Sequence, residues 1–532
     1  MASRTTGLRP VRALNFGMFC LPATLKIVKM TLTQSTQDLY GEYTDRMQKI
    51  ADVKFSAAVL QWDQETYLPP KGVESRARQL ATLTEIAHEW FIHPQFGQIL
   101  EELHSRQDLA DDQQRNVALS LEDYNKQKKF TPAFVRRLSE ASSRCFHSWL
   151  QARTANSFAI YSPELENMVQ LKKEEADLAG YEQHPYNALL DQYEKGATVS
   201  LLDKVFNEVR QPLKDLLDRI GACPSVDDGF LRGDYPKQQQ WDFGMSLIRQ
   251  LGFDFDAGRQ DLSEHPFTTN FNNRDVRITT RIDEHDFRNM TWSCIHETGH
   301  ALYEQGLPSE YYGLPLGEYA SLSIHESQSR LWENNIGRSL SWWQTIYPRL
   351  RAVFPQQLNT VSPEQFYKAI NKVQPSLIRT EADEVSYHFH VMIRYQLEKQ
   401  LIDGNLAVAG IPAWWNEHYR NWLGVTVPDD KKGCLQDVHW SHGSFGYFPT
   451  YSLGSFYAAQ LFAAAKDHVP SLEQSIGSGD TTPLLCWLRE NIHRWGRRYT
   501  SEELCRKATG KTLEISYFLT YLLDKYNNIY NF

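Results

Sequence analysis

Cysteine is scarce in this chain. Its 532 residues include seven, at positions 20, 145, 223, 294, 434, 486 and 505, and none forms a C-x-x-C pair. That spacing excludes a disulfide scaffold and a thiolate metal site. It points to free thiols in a reducing compartment and so to a cytoplasmic protein. No apolar run approaches the roughly 20 residues of a membrane span, so no membrane partner is expected. Beyond the N-terminus there is no dense Lys/Arg run. With a net charge of −9, this argues against a nucleic-acid partner. Internal repeats and low-complexity tracts are absent too. What remains is 41% hydrophobic and 23% charged, the profile of a globular protein with more than one ordinary core.

Residues 1–29 stand apart. They carry Arg4, Arg9, Arg12, Lys26 and Lys29 and no acid. The plainest reading is an N-terminal extension outside the fold, with Met30 opening the folded chain over 30–532. A signal peptide fits less well, because no clear small-residue cleavage site follows the short apolar run at Phe16–Leu25, and an organelle transit peptide is the other alternative. From Ser35 onward apolar residues recur at helical spacing through most of the chain. The segment 221–240, with its Gly, Pro and Asp, is the best candidate hinge between two lobes. The clearest strand is Asp275–Arg281, preceded by His265-Pro266-Phe267. It alternates and is rich in branched residues, and its edge is suited to an extended peptide.

The chain is organised around His296-Glu297-Thr298-Gly299-His300. Helical patterning predicts one helix from Phe287 to Gln305, capped by Asp283 or Asp286 and stopped by Gly306 and Pro308. Two histidines four apart lie on one helical face and can grip one metal ion, with Glu297 beside its open side as general base. A chance match with two core histidines is the weaker reading. A second predicted helix, Tyr319–Leu340, carries His325-Glu326-Ser327. Glu326 is the candidate third ligand, a hard carboxylate that leaves one coordination position free. His325 is expected to orient a ligand or touch substrate. Cys294 reads as buried packing.

Further on, a long helix is predicted from Ser376 to Ile402, containing Ile378-Arg379-Thr380-Glu381-Ala382-Asp383. A loop rich in Gly, His and Tyr follows from Gly433 to Tyr451.

Taken together, these motifs resemble the carboxypeptidase Taq family of zinc metallocarboxypeptidases. The resemblance rests on His265-Pro266-Phe267, D-x-R-x-T at 275–279, H-E-x-x-H at 296–300 and H-E-S-Q at 325–328. I-R-x-x-A-D at 378–383 and G-x-x-Q-D-x-H-W at 433–440 complete the set, in order. It implies a mainly α, two-lobed fold similar to neurolysin and angiotensin-converting enzyme. A deep central groove and a small β-sheet beside the active-site helix belong to that fold. It also implies a homodimer, one Zn2+ per chain with Co2+ as a substitute, and broad removal of single residues from peptides with a free C-terminal carboxylate. On this reading His296, His300 and Glu326 hold the metal, and Glu297 moves the proton. Tyr447 or His439 serves the oxyanion, and Asp437 orients a histidine. Arg379 is the first candidate for the terminal carboxylate, with Arg277 or Arg281 as second candidates. His265 narrows the closed end of the groove. Two competing readings are an endo-acting oligopeptidase with the same metal site and a non-catalytic peptide-binding zinc protein. Glu297 argues against the second.

Overall fold

A computed structural model describes residues 34–532. The expected extension at 1–29 lies outside the described residues. The architecture is mainly helical with one small sheet. Helices α1 (Thr36–Thr66), α2 (Val73–Phe91), α3 (Pro94–Ser105) and α4 (Asp111–Gln127) come first. Then follow α5 (Pro132–Ala155), α6 (Phe158–Ala179), α7 (Tyr186–Leu190), α8 (Val199–Gly221) and α9 (Lys237–Leu251). The three strands are β1 (Gly258–Leu262), β2 (Thr268–Asn272) and β3 (Asp275–Thr280). After them come α10 (Phe287–Glu304) and α11 (Leu322–Arg330). The second half adds α12 (Leu340–Val353), α13 (Pro355–Leu358), α14 (Pro363–Ile370), α15 (Tyr387–Asp403), α16 (Ile411–Leu423) and α17 (Pro449–His468). Helices α18 (Leu472–Gly477), α19 (Thr482–Asn491), α20 (Ser501–Thr509) and α21 (Ile515–Tyr530) close the chain.

The sheet order is β1-β3-β2, with β1 parallel and β2 antiparallel to β3. The strand read most clearly in the sequence is therefore central. The edge strand nearer the metal helix is β2, where Thr268 pairs with Ile278 and Asn270 with Val276. His265-Pro266-Phe267 lies just before it, outside the strand. Val276 and Ile278 are fully buried against Met290 and Cys294 of α10 and Ile248 of α9. This small core fixes the sheet against the metal helix.

Asp286 is the cap of α10, accepting from the Arg288 backbone N–H at 3.0 Å. At the next helix the expected span was too long. The chain from Tyr319 to Ser321 is not helical, and Ser321 caps α11 by accepting from Ile324 N. Beyond Arg330 the backbone widens into a π-helical turn over Leu331–Ile336, closed by Gly337 N–H on the Trp332 carbonyl at 2.8 Å. Such turns are rare and frequently lie at functional sites.

The long helix expected from Ser376 is also shorter. Residues 376–386 hold only a 3-10 turn at Arg379–Glu381, and α15 starts at Tyr387. Pro375 and the Asp383 side chain explain this. Asp383 accepts from the backbones of Gln374, Val385 and Ser386, an alternative to helical bonding. The segment 221–240 contains a 3-10 turn at Gly229–Leu231 and is pinned to the start of α10. Gly233 N–H bonds the His285 carbonyl, and Asp228 pairs with Lys372 and Arg288.

Candidate functional site

The two helices that carry the site cross at glycine. A Cβ on Gly299 would lie 2.6 Å from Ser329 Cα, and one on Gly454 of α17 would lie 2.5 Å from Glu326 Cβ. Only hydrogen at these two positions lets α10, α11 and α17 approach closely enough to converge their side chains.

They converge on one point. Glu326 Oε2 lies 3.5 Å from His300 Nε2 and 3.8 Å from His296 Nε2. The three ligand atoms fall within 4.8 Å of one another. Ligands about 2.1 Å from a tetrahedral ion stand roughly 3.4 Å apart, so the spacing fits one divalent ion. The imidazoles are also oriented for it. His296 Nδ1 bonds Glu333 Oε2 at 2.9 Å, and His300 Nδ1 bonds His325 Nδ1 at 2.6 Å. Each ring thereby turns its Nε2 inward. With Nε2 reserved for a cation, His300 Nδ1–H donates to His325, and His325 Nε2–H donates to Glu304 Oε1 at 2.8 Å. Asn270 of β2 completes the chain by donating to the other Glu304 oxygen.

The electrostatics follow from burial and charge. Burial disfavours an ionised Glu326, but Arg330 and the imidazoles outweigh it and hold its pKa well below the usual carboxylate range. Burial, joined by the neighbouring histidines, lowers His300 to about 3, so it stays neutral. Glu297 is 7% exposed and accepts from Thr268 Oγ1 at 2.6 Å. Burial raises its pKa, as a proton carrier requires.

Around this centre stand the residues of the 433–451 segment, which is not wholly a loop. His439–His442 form a 3-10 turn, and Tyr451 already belongs to α17. His439 Nε2 bonds Tyr451 Oη at 3.1 Å while its Nδ1 has no protein partner. Burial and then Arg379 lower its pKa to about 3. Tyr447 packs edge-on against Tyr193, Tyr451 and His439 with ring centres 5.2–5.5 Å apart. Tyr451 and burial raise its pKa, and the Glu326 charge adds to that, so its hydroxyl remains a donor.

Arg379 is buried. It donates Nε to Asp437 Oδ1 at 3.0 Å and Nη1 to Tyr387 Oη at 3.2 Å. Asp437 does not bond a histidine as expected. It binds a second buried arginine, Arg394, at 2.5–2.7 Å. Two guanidiniums thus share one carboxylate. The ring of Tyr387 lies under Arg330, 4.5 Å from its centre, so Arg379 connects to Glu326 through Tyr387 and Arg330. The other candidates are elsewhere. Arg277 pairs with Asp275 and stacks on Trp62 and Phe271 at 4.4 and 4.9 Å. Arg281 and His265 are exposed at the end and the approach of the sheet.

Sequence reasoning missed Glu304, Arg330 and Glu333. Glu304 follows His300 by four residues and Arg330 follows Glu326 by four, so helical spacing alone can find them. Glu333 depends on the π turn, which no pattern announced. Below this site, Asn270, Glu304 and Tyr319 line a cavity of about 540 Å³ that reaches Met47 and Lys54 of α1.

A helical fold that brings two imidazoles, one carboxylate able to complete their ligand set and a second, buried glutamate to one centre has the arrangement of a metallopeptidase. The chain belongs to the carboxypeptidase Taq (M32) metallopeptidase family, whose model matches residues 42–526. It is 41% identical over 486 residues to thermostable carboxypeptidase 1 of Thermus thermophilus, covering 89% of this chain and 95% of that protein. The M32 carboxypeptidase structure from Deinococcus radiodurans superposes with a TM-score of 0.91 at 39% identity, covering 93% of this chain and 100% of that one. The solved structure of CHT gives 0.90 at 59% identity, covering 92% and 99%. The protein is therefore a metallocarboxypeptidase, and its family implies a divalent metal.

Proposed function

We propose that the protein is a zinc-dependent carboxypeptidase that releases single residues, with broad side-chain tolerance, from peptides with a free C-terminal carboxylate. The observation that carries this reading is a buried cluster in which two arginines share one carboxylate, connected to the metal triad through Tyr387 and Arg330. Arg379 and Arg394 face one Asp437, and Arg379 is linked to Glu326 through Tyr387 and Arg330. A bidentate partner for such a guanidinium is a carboxylate.

His296, His300 and Glu326 form the ligand set, a combination suited to zinc, with cobalt expected to substitute. When bound, the ion supplies Lewis acidity that lowers the pKa of water and polarises the scissile carbonyl. Glu297 takes the proton from the attacking water and returns it to the leaving amine. Tyr447 or His439 serves as a neutral donor for the oxyanion. The open edge of β2, beside Glu297, suits the substrate main chain. A homodimer in the cytoplasm belongs to the same reading.

The test uses N-blocked peptides with free or amidated C-termini, followed by mass spectrometry. Stepwise loss of terminal residues from the free acids alone is expected. Internal cuts in amidated peptides overturn the reading in favour of an endo-acting oligopeptidase. Arg379→Ala is expected to lower kcat/KM on free acids by at least about 30-fold with metal content unchanged, the scale of breaking a buried charge pair. A parental rate returns Arg379 to a structural role.

A further inference from the structure

A carboxylate ligand can offer a metal one oxygen or two, and the second oxygen occupies the position a substrate needs. Glu326 has its two oxygens in different surroundings. Oε2 faces both imidazoles and also lies 3.2 Å from Ser329 Oγ, which donates at 2.8 Å to the Glu326 backbone carbonyl. Oε1 accepts from Arg330 Nε at 2.7 Å. The same guanidinium donates Nη1 to Glu333 Oε2 at 3.1 Å, the oxygen that holds His296 Nδ1. It is held in turn by the ring of Tyr387 and is largely buried, with 15% of its side chain exposed. Arg338 takes the remaining Glu333 oxygen. One cation therefore touches both the ligand carboxylate and the carboxylate behind a ligand imidazole. The i, i+4 and i+7 spacing of Glu326, Arg330 and Glu333 across the π turn brings this about.

We propose that Arg330 is a positioning residue that holds Glu326 to a single metal-facing oxygen and so keeps one coordination position open for substrate. The proposal rests on the reading of His296, His300 and Glu326 as the metal site. Without the guanidinium, Oε1 has no protein donor and turns in beside Oε2. The ion then gains a ligand and loses its vacancy.

Two substitutions separate this role from general packing. In Arg330→Gln the amide nitrogen stands the same number of bonds from Cα as arginine Nε, so the donor to Oε1 is retained without the charge. Arg330→Met puts a methyl group there instead. Each protein is loaded with Co2+ and its visible spectrum recorded, because absorption weakens as the coordination number rises. Parental and Gln proteins are expected to share one spectrum. The Met protein is expected to show the weaker bands of a higher-coordinate ion, with kcat lowered about 10- to 100-fold and a smaller change in KM. A folded Met protein with the parental spectrum overturns the proposal, as does a Gln protein that matches Met. X-ray absorption of the unmodified Zn2+ protein is an independent arm that needs no variant. A single oxygen from Glu326 is expected, and a bidentate carboxylate overturns the proposal. A parental protein that takes up no Co2+ or Zn2+ overturns the metal reading itself and this proposal with it.

Discussion

Glu297 and Glu398 are both buried carboxylates, and their neighbours assign them different work. Glu297 has one donor, Thr268, and lies beside the metal ligands. Its replacement by Gln preserves shape and the Thr268 contact but removes the base. Glu297→Gln is expected to bind metal as the parent does while kcat falls about 10²- to 10⁴-fold. Metal analysis and turnover measured on one preparation check it, and parental turnover refutes the assignment. Glu398 lies on α15. It accepts from Trp440 Nε1 at 2.7 Å, Gly446 N at 2.8 Å and the Tyr186 hydroxyl. It therefore ties down the stretch between His439 and Tyr447. Burial raises its pKa to about 7 despite these donors. A carboxyl raised in the folded state binds its proton more tightly there than in the unfolded chain. Its contribution is present in full below the unfolded value of 4.5 and is lost as pH rises towards 7. Urea denaturation across that window is expected to show parental stability falling relative to Glu398→Gln, by up to about 1.4 kcal/mol per pH unit. A constant difference between the two proteins rules the titration out.

At the scale of elements, the site depends on how closely three helices cross. The nearest atoms to a Cβ on Gly299 are Ser329 Cα at 2.6 Å and the Gln328 carbonyl at 2.8 Å. Both are backbone, so no rotamer change relieves the clash. Gly299→Ala must push α10 away from α11, and His300 moves with its neighbour. A stability loss of about 1–3 kcal/mol is expected, together with weaker metal binding in a chelator competition. If Gly299→Ala binds metal with parental affinity, the crossing does not set the ligand spacing. The motif H-E-x-x-H was legible as a helix with two aligned histidines because helical periodicity is local. The length of α11 and the start of α15 were not legible. A π turn and the Asp383 side-chain bonds decide them, and neither leaves a periodic trace.

On the scale of the molecule, the described residues contain a small core separate from the main one. Leu39, Tyr43 and Ile50 of α1, Phe96 and Leu100 of α3 and Val117 of α4 belong to it, with Leu314. Polar contacts fasten this layer to the rest. Arg497 grips both Asp123 oxygens at 2.7 Å, Arg498 pairs with Asp111 and Asp112, and Arg115 donates to the Arg498 carbonyl. Partly exposed pairs of this kind contribute about 0–1 kcal/mol each. The double variant Arg497→Ala/Arg498→Ala is therefore expected to speed amide exchange in α1, α3 and α4 by a few-fold to about tenfold. Exchange in α10 should stay at the parental rate. Equal acceleration in both regions refutes a separately opening layer. No described helix is long and apolar enough to cross a membrane.

By itself the sequence determined the chemistry of this protein. The residue types and the spacing of four between His296 and His300 on one helix name two candidate ligands with a candidate base between them, and six motifs in order name the family. Only the tertiary structure decided what surrounds them. It placed Asp437 between two arginines, made β2 rather than β3 the sheet edge, and set Arg330 and Glu333 behind the ligands. Local spacing reports which side chains share a face, whereas partners drawn from distant segments depend on how closely backbones pack, and composition does not encode that.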